Sequence, residues 1–82
     1  MSPLLHIVAL MRQGSWDEAH NLVQRHNSPY AAWLHGLLHV DEGDLENAEF
    51  WYGKAGRDFR ARGSLGEELD ALETTLRGPV AS

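Results

Sequence analysis

The sequence predicts an all-α domain: two stacked antiparallel helical hairpins followed by a C-terminal capping helix. Three observations carry this expectation. The phrase Gly14-Ser15-Trp16-Asp17-Glu18-Ala19 returns 29 residues later as Gly43-Asp44-Leu45-Glu46-Asn47-Ala48. Repetition at a fixed interval marks two copies of one supersecondary unit, which must stack to bury its apolar face. Helix start and stop signals recur along the whole chain, and no segment alternates apolar and polar residues as a half-buried strand would.

Each element has its own punctuation. Ser2-Pro3 opens a helix over about 3–13, and Ser28-Pro29 opens one over about 28–42. In both, a serine oxygen can cap free amides ahead of a proline that loses nothing at the first helical position. Ser15-x-x-Glu18 and Ser64-x-x-Glu67 read as capping boxes for helices over about 15–26 and 64–77. Asp44, with Asn47 three residues on, caps a helix over about 44–55. Gly14, Gly43, Gly56, Gly63 and Gly78 stand where a left-handed residue closes a helix. Short connections force antiparallel neighbours, so residues 3–26 form one hairpin and 28–55 a second, within a single domain spanning 1–82. A loop over 56–63 follows, anchored by Phe59. The last helix carries the stripe Leu65, Leu69, Leu72 and Leu76, with Glu67, Glu68, Asp70 and Glu73 turned to water.

Eighty-two residues without cysteine lie near the lower size at which a core suffices for folding, so a homodimer or other self-association is expected to help. The net charge of −5 argues against nucleic acid as a partner, since such proteins present a basic stripe. Arg57, Arg60 and Arg62 are the only basic cluster and are expected to be a solvated connector. The apolar run Leu4–Met11 lacks the basic flank and cleavage site of a signal peptide, and no run reaches the ~20 apolar residues of a membrane span. A cytoplasmic protein with no membrane partner is the expectation.

The second unit resembles a tetratricopeptide repeat. Ala32 stands in its first bulky slot, Gly36 in its glycine slot, Ala48 in its alanine slot, Tyr52 in its aromatic slot and Ala55 in its closing small slot. The first unit matches only through Gly14, Ala19 and Val23. The interval of 29 is shorter than the usual ~34, and His39 replaces the expected tyrosine. A longer resemblance, from Trp16 to Gly56, is to a group of uncharacterised short proteins with a His-Gly-x-x-His motif followed by Asn-Ala-x-aromatic-Trp-aromatic. Here these are His35, Gly36, His39, Asn47, Ala48, Phe50, Trp51 and Tyr52. The tetratricopeptide resemblance implies a protein-interaction role. The second supports the fold and the interest of the histidines, but implies no reaction.

Two candidate sites follow. His35 and His39 stand four residues apart, the spacing by which one helix presents two imidazoles to one ion. His20, between Trp16 and Val23, would supply a third nitrogen for Zn²⁺ or a similar divalent metal, with Glu42 on the same face and Glu42 or Asp44 supporting the ligands. That metal site is the alternative; the first expectation is that these histidines are packing residues bonded to a carbonyl, a carboxylate or Asn47, with no cofactor. Trp16, Trp33, Trp51, Tyr30 and Tyr52 are expected in the core. Phe50 points about 140° away from Leu45, so it must meet the loop around Phe59, the last helix or another protomer. Phe50, Phe59 and Trp51 are the candidate interaction residues.

No nucleophile, carboxylate dyad, phosphate loop, dinucleotide fingerprint or HExxH is present, which leans against an enzyme. The expected function is a protein-interaction or self-assembly module. The alternative is a metal-binding domain, with hydrolysis as one use of it, centred on His20, His35 and His39.

Overall fold

The computed structural model describes residues 2–78, and among them are five α-helices and one 3₁₀ turn; residue 1 and residues 79–82 of the expected domain lie outside the described residues. They are α1 (Pro3–Arg12), α2 (Trp16–Val23), α3 (Pro29–Glu42), α4 (Leu45–Lys54) and α5 (Leu65–Arg77), with the 3₁₀ turn Phe59–Ala61 between the last two. The all-α class is as the sequence predicts. No described helix is long and apolar enough to cross a membrane.

Three of the serine caps form. Ser2 Oγ accepts from the Leu4 amide at 3.2 Å and Ser28 Oγ from the Ala31 amide at 3.1 Å. Ser64 and Glu67 complete a reciprocal capping box. The Ser15–Glu18 box does not form. Ser15 sits at φ −86°, ψ 62°, outside the extended conformation that aims a capping oxygen at the helix amides. Asp44 likewise makes no cap bond, and its carboxylate accepts from Asn47 Nδ2 at 2.5 Å instead. α2 stops at Val23 rather than near 26: the Arg25 and His26 amides donate to the Leu22 and Val23 carbonyls, three residues back, so the last turn tightens before the chain runs on to Ser28-Pro29. Gly14, Gly43, Gly56 and Gly78 adopt positive φ but Gly63 does not; its amide donates to Glu68 Oε2 at 3.2 Å.

α3 is the central element and packs against the other four helices. Ala31 to Leu38 are all buried, so the middle of the helix is covered all round. α4 lies along α3 at close range, because Gly36 leaves room for the Tyr52 ring: a Cβ there would stand 2.6 Å from Tyr52 Cδ1. α2 packs on α1 and α3, and α5 crosses α1 and α3. Ile7, Val8, Met11, Leu34, Leu37, Leu38 and Leu72 fill the space between them. Leu65, Leu69, Leu72 and Leu76 face this core as expected.

Glu68 is the main correction. It is 7 % exposed rather than turned to water. Its Oε1 accepts from Tyr52 Oη at 2.6 Å and Trp33 Nε1 at 3.2 Å, and its Oε2 takes the Gly63 amide. Burial, then the adjacent carboxylate, raise the Tyr52 phenol well above its ordinary value, so it remains a donor. Thus one carboxylate clips α5 to α3 and α4. Of the arginines nearby, Arg57 and Arg60 are exposed, as expected of a solvated connector, and Arg62 is half-buried; the Arg57 guanidinium still lies 3.5 Å from the Trp33 ring centre and that of Arg62 3.9 Å from the Phe59 ring centre. Arg62 also donates to the Phe59 carbonyl at 2.9 Å. Tyr30, expected in the core, is exposed. It occupies the first turn of α3.

Candidate metal centre

α3 presents His35 and His39 one turn apart, and α2, packed against α3, delivers His20 to them. The rings meet closely. His20 Nε2 and His35 Nε2 are 3.0 Å apart, and one ring nitrogen from each of His20, His35 and His39 lies within 4.8 Å of the others. The His35 and His39 rings stack at 5.1 Å, with His20 edge-on to both. These three residues are the ones the sequence pattern singles out, and α2 and α3 bring them together.

Carboxylates stand behind the imidazoles. Glu42 Oε1 is 3.6 Å from His20 Nδ1 and its Oε2 is 3.5 Å from His39 Nδ1, so a single side chain addresses two of the rings. Asp44 Oδ2 is 3.7 Å from His39 Nδ1. Local structure places it there: Gly43 turns left-handed at φ 80°, the Asp44 amide returns to the His39 carbonyl, and Asn47 holds the Asp44 carboxylate. His39 Nδ1 is buried and has no hydrogen-bond partner among the described residues. Such a nitrogen is a cost to the fold unless something satisfies it.

His35 is 8 % exposed, and Trp51 covers its outer face at 4.0 Å between ring centres, nearly parallel. Burial first, then the neighbouring His20 and His39, lowers its pKa to about 4. The ring is therefore neutral at physiological pH, with a lone pair to offer.

Of the interaction candidates, Phe59 is half-buried and edge-on to Tyr52 at 5.3 Å, anchoring its loop. Trp51 belongs to the histidine cluster more than to the core. Phe50 meets neither Phe59 nor α5; it is 54 % exposed and touches Trp51 edge-on. Sequence reasoning misses two features here. One is Glu68, which had a signal: it stands three residues after Leu65 and four before Leu72, on the leucine face itself. The other is the stacking of Trp51 on His35, which no local spacing announces.

In comparison with known proteins, the chain matches no family model, and no curated protein or solved structure matches it significantly.

Proposed function

We propose that this domain binds one divalent transition-metal ion, zinc or a close relative, through His20, His35 and His39. The approach of three ring nitrogens to within 4.8 Å carries the reading. Two nitrogens bound to one tetrahedral zinc stand about 3.3 Å apart, from Zn–N bonds of about 2.0–2.1 Å. The 3.0 Å between His20 and His35 is close to that, and the His39 nitrogen, within 4.8 Å of both, would have to move closer to complete the set. The Nδ1 atoms of His20 and His39 face Glu42, which leaves their Nε2 atoms for the ion. Neither contact is a hydrogen bond as the side chains stand; Glu42 drawn onto the ligating imidazoles would satisfy His39 Nδ1, fix the tautomers and raise the basicity of the rings. Three protein ligands leave a fourth position for water or another ligand.

Cobalt substitution tests the reading. Co²⁺ added to metal-free protein is expected to give the visible absorption of a four-coordinate nitrogen site at one equivalent, and His39→Gln to lose it. A spectrum indistinguishable from aqueous Co²⁺ would contradict the assignment.

A second reading, a protein-interaction or self-assembly module, is favoured by the exposure of Phe50, accompanied by that of Leu45. The two readings are compatible, since Phe50 lies outside the histidine cluster.

A further inference from the structure

Beside the histidine cluster, a cleft of about 430 Å³ opens between the chain after α2, the first turn of α3 and α4. This is within the range of about 300–1,000 Å³ that small-molecule sites occupy. Its floor is Ala31 and Ala32, whose side chains stop at Cβ and leave the space open. Its wall is Trp51 on His35, and Lys54 and His26 stand at its edge.

The charge of this cleft is opposite to that of the chain. The protein has 12 acidic residues against 7 Lys and Arg, yet none of the residues lining the cleft is acidic. Lys54 is the only lysine in the sequence. Its ammonium lies 5.3 Å from the Phe50 ring centre and 5.8 Å from that of Trp51. No carboxylate among the described residues pairs with it. A cation held on an aromatic wall, without a counter-ion, beside an open volume lined by indole and imidazole, is a receptor for negative charge carried on a flat body.

We infer that this cleft binds a small organic anion, a carboxylate or phosphate monoester on a planar body, with its head toward Lys54 and its body against Trp51. His35 belongs to both the cleft and the histidine cluster. An ion on the histidines therefore adds positive charge beside the anion and tightens its binding; this coupling, but not the cleft itself, rests on the metal reading.

Phenyl phosphate, benzoate and phenol are the probes, titrated into metal-free and zinc-loaded protein and followed by amide and indole NMR shifts. The two anions are expected to move the Trp51 indole and the Ala31 and Ala32 amides, with phenol much weaker. Lys54→Gln, at an exposed position, is expected to keep the wild-type melting temperature and zinc content and to weaken phenyl phosphate about tenfold, the effect of losing one charge-assisted hydrogen bond. Equal affinity for phenol and phenyl phosphate, or an unchanged dissociation constant in Lys54→Gln, would overturn the inference. Protein that binds phenyl phosphate but no zinc would remove the metal reading and leave the cleft standing. Zinc-loaded protein indifferent to both anions would remove the cleft and leave the metal reading.

Discussion

The Nε2 atoms of His20 and His35 face each other at 3.0 Å although 15 residues and a helix boundary separate them in sequence. Two neutral imidazoles hold that distance only if one donates and the other accepts, or if a cation sits between their lone pairs. Two protonated rings cannot. The burial of His35 and its two histidine neighbours thus resist protonation together.

The pH dependence of the metal-free protein follows. The folded-state pKa of His35 is about 4, below the ordinary 6.5. Between those values the unfolded chain binds more protons, so the stability due to neutral His35 is complete above 6.5 and declines as pH falls toward 4. The loss by pH 5 is expected to be about 2 kcal/mol. Urea denaturation at pH 7.5 and pH 5, with chelator, measures it. His35→Asn should flatten the pH dependence; an unchanged slope in that variant would contradict the account.

Gly36→Ala tests the contact between α3 and α4. The new Cβ would meet Tyr52 Cδ1 at 2.6 Å and the Ala48 carbonyl oxygen at 3.2 Å. Tyr52 is fully buried and its hydroxyl is tied to Glu68, so the ring has little freedom to withdraw. Overpacking of this kind costs about 1–3 kcal/mol. The outcome is read as a lower melting temperature, and wild-type stability would refute the close approach.

Glu68→Ala should destabilise by about 2–4 kcal/mol, since it leaves the Tyr52 hydroxyl and the Trp33 indole N–H buried without an acceptor. Glu68→Gln keeps an acceptor oxygen and should lose less. Equilibrium unfolding in urea separates the two. Equal stability of both variants and the wild type would mean that the clip between α5 and the α3–α4 hairpin is not a determinant of the fold.

Self-association through α4 is testable by sedimentation. Phe50 is 54 % exposed, and a dimer formed on it should dissociate in Phe50→Glu with the melting temperature of the monomer unchanged. A wild type that stays monomeric at high micromolar concentration would dismiss the self-assembly reading.

The parts of this structure governed by local chemistry were legible in sequence. Ser2-Pro3, Ser28-Pro29 and the Ser64–Glu67 box each start a helix where expected, because a cap needs only residues within one turn. The pairing of His35 with His39 is local too, whereas His20 joins them through the packing of α2 on α3. What escaped depended on distant partners or on backbone angles. Ser15 and Asp44 have the right side chains for caps but the wrong φ and ψ. Glu68 looked like one more surface carboxylate until Trp33, 35 residues earlier in the chain, met it. The cleft joins residues 26–29, which follow α2, to Trp51 and Lys54 of α4, a juxtaposition that no local spacing announces.

Zinc titration by calorimetry tests the central claim most directly. Metal-free wild-type protein is expected to bind one Zn²⁺ per chain, to melt at a higher temperature when loaded, and to lose both effects in His20→Ala, because binding free energy at such a site adds to folding free energy. The absence of saturable binding in the wild type, or equal binding by a variant with His20, His35 and His39 all replaced by alanine, would contradict the assignment and leave the three histidines as packing residues.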